Sequence, residues 1–248
     1  MKKLILFLMI AVLLFGYSCG KKPTGPSSKK PTFTIYAAVV KDMNISKDIA
    51  AFTVLRNDTL FNGAIVKVGN KNIPRTDSGL YSAEFPDTTF HVKTAYIDSI
   101  IITQDTVTIA FSFTLPDTFY IKPLQDNDSI NAGGHSVQVS WTSSANASKY
   151  ILSLAQDTVT GARLFKTTVG STDTTITPEA FRNTADLLIT GDYWIYVVAY
   201  NKSFVSYPEI PFALPTGLPA DNITGAKGTM GAGVIARKAK IVVTTASQ

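Results

Sequence analysis

Short runs of β-branched and aromatic residues, separated by turn-forming residues, constrain this chain more than any other feature of its sequence. The run Thr106–Phe113 has apolar side chains at its odd positions and small or hydroxylated ones at its even positions. This period of two is typical of an antiparallel strand with one buried face. Between residues 77 and 128, an aspartate marks a turn every 7 to 12 residues. The pattern predicts an all-β fold of antiparallel sandwiches, without helices long enough to connect parallel strands.

The expected strands share this composition. They cover residues 34–40, 51–55, 64–68, 97–103, 107–113, 137–141, 150–154 and 193–200. One short helix is expected within residues 177–188, because Thr177 can cap it, Pro178 suits its first position and Glu179 suits its first turn.

The formal net charge of +5 is unevenly distributed along the chain. Residues 1–30 carry six lysines and no acids, whereas residues 31–215 carry thirteen basic and seventeen acidic residues, a net charge of −4. Residues 216–248 are net +3. Since the predicted folded part is mildly acidic, a surface that follows nucleic-acid phosphates is not expected.

The N-terminus has the features of a secretory signal. Two lysines precede the apolar run Leu4–Phe15, and small residues follow it. A membrane span needs about 20 apolar residues, and seventeen residues separate Lys3 from Lys21. We therefore favour a cleaved signal peptide, residues 1–18, over an uncleaved anchor.

The segment Phe15–Cys19, with small Ser18 before the cysteine, resembles a bacterial lipobox, although Gly16 stands where the family more often has Leu. The resemblance implies cleavage before Cys19 and lipidation of that residue, so that membrane lipid is a partner of the chain. A buried thiol is the alternative for a lone cysteine, but Cys19 precedes a linker rather than a core. The residue after the cysteine is Gly20 and not an acidic residue, so the signal for retention in the inner membrane is absent. The outer membrane is therefore the favoured location.

Residues 19–31 then form a predicted tether. The sequence KKPTGPSSKKP combines three prolines, one glycine and four lysines, a composition that favours neither helix nor strand. We interpret it as a flexible basic linker between the lipidated cysteine and the folded region.

The segment 188–201 resembles the late strand of a fibronectin type III domain. The matching positions are Leu188, Gly191, Tyr193, Val197, Ala199 and Asn201. Residues 137–141 and 150–154 resemble the second and third strands of that family. The resemblance implies a sandwich over residues 119–215, in which Trp141 fills the core and Tyr193 hydrogen-bonds the backbone.

The remaining parts are less specific. Residues 62–69 and 77–81 resemble immunoglobulin-like domains related to a carboxypeptidase regulatory module, which implies a sandwich over residues 32–118. Residues 216–248 are expected to be a Gly-rich tail, whose run 234–243 either pairs as a strand with a domain edge or stays flexible.

The sequence offers no arrangement for catalysis, so no enzyme, metal or cofactor is expected. A single cysteine excludes a disulfide framework, and two histidines, His91 and His135, give little basis for a metal centre. Residues 126–129 lack the glycine and distal glutamate of a calcium loop, so we favour a turn. Residues 225–233 lack the Lys-Ser/Thr ending of a phosphate loop, so we favour flexible chain.

A recurrent aspartate motif remains. Nine of fifteen aspartates precede Ser or Thr, and the motif resembles an O-glycosylation signal of Bacteroidetes envelope proteins. Turn chemistry alone also explains the pairing and is favoured. Seven of the nine have Ile, Leu, Val or Thr next: Asp58, Asp87, Asp98, Asp105, Asp128, Asp157 and Asp173.

Two functions follow as hypotheses. The first is a lipid-anchored envelope protein whose non-catalytic sandwiches serve protein–protein interaction or envelope assembly. The second is carbohydrate binding in a surface glycan uptake system, which would require clustered, exposed rings. The rings considered for it are Tyr196, Tyr200, Phe204 and Tyr207.

Overall fold

The computed structural model describes residues 31–124, 129–131, 136–156, 165–183, 185–201 and 223–244. The chain divides into two compact units, residues 1–31 and residues 32–248. The predicted signal peptide and all of the tether except Pro31 lie outside the described residues. Within the described ranges, no helix is long and apolar enough to cross a membrane.

The described residues from 33 to 114 form eight strands and a short 3-10 helix over Thr103–Asp105. The strands are β1 (Phe33–Asp42), β2 (Lys47–Arg56), β3 (Thr59–Leu60), β4 (Ala64–Val68), β5 (Lys71–Ile73), β6 (Tyr81–Pro86), β7 (Ala95–Ile102) and β8 (Val107–Thr114).

The described residues beyond 114 form nine strands and a 3-10 helix over Pro178–Phe181. The strands are β9 (Ser129–Asn131), β10 (Val137–Ser140), β11 (Lys149–Gln156), β12 (Phe165–Val169), β13 (Asp173–Ile176), β14 (Gly191–Asn201), β15 (Ile223–Thr224), β16 (Lys227–Ile235) and β17 (Ala239–Thr244).

Within the described part of the chain, the strands pair into three sheets. A ten-stranded sheet has the order β12-β11-β14-β16-β1-β2-β3, with β6 on β2, β17 on β14 and β9 on β17. A five-stranded sheet has the order β15-β8-β7-β4-β5, and β10 pairs with β13. The β1–β16 and β9–β17 pairs are parallel, whereas the other strand pairs are antiparallel. The predicted all-β class is confirmed.

The first core lies between one half of the ten-stranded sheet and the five-stranded sheet. Strand β1 contributes alternate residues from Phe33 to Val39, and the facing sheet contributes Ile100 and Phe111. The alternation predicted over Thr106–Phe113 is confirmed, because Ile109, Phe111 and Phe113 are buried.

The second core lies between the other half of the ten-stranded sheet and the β10–β13 pair. Trp141 is fully buried there, and Tyr150 packs against its ring with centroids 5.5 Å apart. Strand β14 contributes Tyr193, Ile195 and Val197 on alternate positions. Each core therefore has the two-layer arrangement of a β-sandwich.

Strand β16 corrects the prediction that the Gly-rich C-terminal stretch is flexible. It lies between β1 and β14 in the ten-stranded sheet. Met230 and Ala232 of this strand belong to the first core, whereas Val234 belongs to the second. Ala236, which follows the last residue of the strand, also belongs to the second core. Gly228 allows a close approach to β1, which compensates for the poor strand propensity of glycine. The domain boundary expected between residues 118 and 119 stays a prediction. Strand β16 pairs with β1 on one side of that boundary and with β14 on the other.

The helix predicted within residues 177–188 is shorter than expected. A 3-10 helix covers Pro178–Phe181, and Thr177 makes no side-chain cap hydrogen bond. The Asn183 side chain accepts the backbone N–H groups of Ala185 and Leu187 at 2.9 and 3.0 Å. A side chain that binds nearby backbone in this way competes with helical hydrogen bonding.

Candidate interaction surfaces

Several residues singled out in the sequence cannot be placed on a surface. The proposed lipidation site and several residues considered above for metal binding, glycosylation or sugar binding lie outside the described residues. They are Cys19, Asp126, Asn127, Asp128, His135, Asp157, Phe204 and Tyr207. The structure therefore leaves the predictions on these residues as predictions.

The described titratable groups do not converge on a site. His91 is exposed, and its backbone N–H donates to the Tyr96 hydroxyl at 2.7 Å. Among the described residues, no group of three or more His, Cys, Asp or Glu side chains could hold a metal ion.

Turn chemistry accounts for most of the described Asp-Ser/Thr positions. Asp58 has a left-handed φ of 63° in the turn after β2, Asp87 follows β6 and Asp105 ends a 3-10 helix. Asp98 is the exception, because it lies within β7 and its carboxylate accepts the Gly69 N–H at 2.7 Å. Asp173 begins β13.

The two aromatic residues assigned to the core lie there. Trp141 is fully buried, and the Tyr193 hydroxyl donates to the Ile189 carbonyl at 2.9 Å. Burial raises the pKa of the Tyr193 phenol. Both expectations from the fibronectin resemblance are confirmed, and both residues are structural.

The ring cluster expected for carbohydrate does not form from the described candidates. Tyr200 is only 2% exposed, and burial raises the pKa of its phenol. Tyr196 is half-buried against a buried apolar cluster on the face of the ten-stranded sheet opposite the two cores. The other members of that cluster are Ala38, Val40, Ile49, Ile151, Val198, Tyr200 and Ile235.

Sequence reasoning missed Trp194. Because Tyr193 points into the core, a period of two places Trp194 and Tyr196 together on the opposite face of β14. Trp194 lies opposite Lys240 of β17. The alternation of β14 therefore contained the signal that this tryptophan, unlike Trp141, points away from the second core.

Cations gather around Trp194. The Lys238 ammonium lies 4.0 Å from the centroid of the Trp194 ring, and the Lys240 ammonium lies 5.9 Å from it. Lys240 also pairs with Asp192 at 2.6 Å. Arg237 precedes Lys238 in the chain and is exposed. We call this group the basic–aromatic patch: Trp194, Tyr196, Arg237, Lys238 and Lys240.

The outer face of the five-stranded sheet has the opposite character. Ile97 is 82% exposed and Ile65 is 46% exposed. Ile65 is paired with Ile101, and Ser99 with Ala110, so that small and aliphatic side chains lie side by side. We call this surface the aliphatic face: Ile65, Ile97, Ser99, Ile101, Thr108 and Ala110.

A buried ion pair lies next to the turn that joins β1 to β2. The Lys41 ammonium lies 2.6 Å from the Asp48 carboxylate, and their side chains are 7% and 0% exposed. The second carboxylate oxygen of Asp48 accepts the Phe90 N–H at 2.7 Å, and Lys41 also donates to the Asp87 carbonyl. These contacts attach the segment after β6 to the hairpin, which is a structural role.

No protein-family model and no curated protein matches the chain. A crystal structure of the FN1–FN3 domains of chicken CNTN1 is similar over 90% of this chain and 70% of that chain. The sequence identity is 12% and the TM-score is 0.26. The description of the two sandwiches therefore rests on their own strand pairing and cores.

Proposed function

We propose that the chain is a lipid-anchored protein of the cell envelope that presents non-catalytic β-sandwiches for protein–protein interaction or envelope assembly. Its anchor would be the acylated Cys19 and its location the outer membrane, as the lipobox resemblance implies. The aliphatic face is the observation that carries the interaction role. The carbohydrate alternative is weakened, because Tyr200 is buried and Tyr196 half-buried.

The aliphatic face fits a particular kind of protein surface. Its six residues carry no charge, and Ile97 leaves most of its side chain in water. Burying an aliphatic surface of this kind favours association by about 25 cal/mol per Å² of apolar area. Lys67, two positions beyond Ile65 on the same side of β4, is exposed and borders this face. The partner is therefore a protein whose contact surface is mainly apolar.

A photo-crosslinking residue at position 97 is expected to capture a discrete protein in intact cells. The same residue at Glu84, which is exposed on β6, serves as the matched control and should not capture that protein. Adding Ile65→Lys should abolish the crosslink at position 97, because a lysine would be desolvated in the interface. Equal capture at both positions, or capture that survives Ile65→Lys, would contradict the role of this face.

Cys19→Ala is expected to release the protein from membranes. Each buried acyl methylene contributes about 0.8 kcal/mol to membrane binding, so loss of the acyl chains removes most of the affinity. Membrane fractionation with a blot measures the effect, and Ser18→Ala, which keeps a small residue before the cysteine, is the control. Continued membrane retention of the Cys19→Ala protein would contradict the anchor.

A further inference from the structure

We propose that the basic–aromatic patch binds an acidic, amphipathic segment of a partner protein. The inference rests on the proposed function only in that the partner is a protein. It concerns a different sheet from the aliphatic face, and it specifies the charge of the ligand.

The charge of the patch favours an acidic ligand. Within the part of the chain that the structure describes, Arg237 and Lys238 make no salt bridge, and both are exposed. Lys240 is already paired with Asp192. Residues 31–215 carry a net charge of −4, so the patch is a local concentration of positive charge in a folded region whose other residues are mildly acidic. The positive charge attracts an acidic ligand to the patch.

The backbone beneath the patch is held by hydrogen bonds. The Asn44 side chain accepts the Lys238 N–H at 2.7 Å and donates to the Ala236 carbonyl at 3.1 Å. The Ala236 N–H donates to the Val197 carbonyl at 3.1 Å. The backbone of the connection between β16 and β17 is therefore fixed by hydrogen bonds to Asn44 and to Val197 of β14. A fixed backbone loses less conformational entropy when a ligand binds.

The side chains of the patch favour a protein segment over a sugar. Lys238 places its ammonium over the Trp194 ring, where a sugar would otherwise stack. Ile45, which follows the anchoring Asn44 in the chain, is an aliphatic residue that is 43% exposed. Tryptophan, tyrosine and arginine are the residues enriched at energetically important positions of protein interfaces. Cationic, aromatic and aliphatic groups together match a segment that carries both carboxylates and apolar side chains.

A glutamate–alanine copolymer tests this proposal with the full folded protein. We expect calorimetry to show binding and the fluorescence of half-buried Trp194 to change, whereas fully buried Trp141 contributes a constant background. In Trp194→Phe the fluorescence change should disappear. The second ligand is polygalacturonate at the same carboxylate concentration, and we expect it to bind more weakly.

The decisive variant is Arg237→Glu/Lys238→Glu. It should lower the affinity for the copolymer by about tenfold or more, because it reverses the charges that attract the ligand. The matched control is Lys71→Glu/Lys122→Glu, which makes the same change of net charge at two other exposed lysines and should change the affinity by less than about twofold. Lys238→Gln provides a milder variant if the double reversal unfolds the protein.

Three results would overturn the proposal. These are an equal loss of affinity in both double variants, tighter binding of polygalacturonate than of the copolymer, and binding without any change in Trp194 fluorescence. None of them affects the crosslink expected at Ile97. A failure of this inference is therefore distinguishable from a failure of the proposed function.

Discussion

Gly228→Ala is expected to destabilise the protein by about 3 kcal/mol or more. Gly228 has a φ of +121° and is paired with Ile35 in the parallel β1–β16 ladder. A methyl group there would lie 2.6 Å from the Ile35 carbonyl carbon and closer still to its oxygen. Both partners are backbone, so the strands themselves must separate. Urea denaturation of the purified domain region measures the loss.

The consequence should extend to both sandwiches, because β16 serves both. Displacing the strand loosens Met230 in the first core and Val234 in the second, and a fully buried side chain of this kind contributes about 1.5–3 kcal/mol. Gly170→Ala is the matched control, since a Cβ at Gly170 meets nothing within 4 Å. Equal denaturation midpoints for the two variants would contradict the assigned position of β16.

The strands that could be predicted from the sequence are those with a local pattern. The alternation in β8 specifies a strand with one buried face, and the aromatic run of β14 specifies a strand that is buried on both faces from Val197 to Tyr200. Strand β16 has no such pattern, because its glycines leave few side chains to alternate. Its place is fixed by pairing with β1 and β14, which lie far from it in the sequence. Local propensity does not contain that information.

The surfaces were predictable to different degrees. The outward position of Trp194 follows from the inward position of Tyr193. The cations over its ring come from β17 and the connection before it, and only the antiparallel pairing of β14 with β17 brings them together. The exposure of Ile97 could not be predicted from the sequence either, because an apolar strand residue is ordinarily expected to be buried.

Asp48→Asn is expected to destabilise the protein by about 3–5 kcal/mol, the usual cost of removing one partner of a buried ion pair. The asparagine retains an acceptor for the Phe90 N–H, so that the change isolates the charge. Lys41 would be left 7% exposed without its carboxylate. Chemical denaturation measures the loss, and hydrogen exchange should show the earliest opening at Phe90.

A double-mutant cycle separates the contribution of the Lys41–Asp48 ion pair to stability from that of the surrounding residues. Lys41→Met in the Asp48→Asn background should recover part of the lost stability, because the unpaired ammonium is then gone and its aliphatic stem is retained. The matched control is Asp192→Asn, which breaks the exposed Asp192–Lys240 pair and should cost less than about 1 kcal/mol. If Asp48→Asn cost no more than Asp192→Asn, the Lys41–Asp48 pair would be solvated in solution, and the segment after β6 would be held by its apolar contacts alone. Phe90 would then be the residue that anchors it, since its ring packs edge-on against Phe85 and Tyr96 at 5.7 Å.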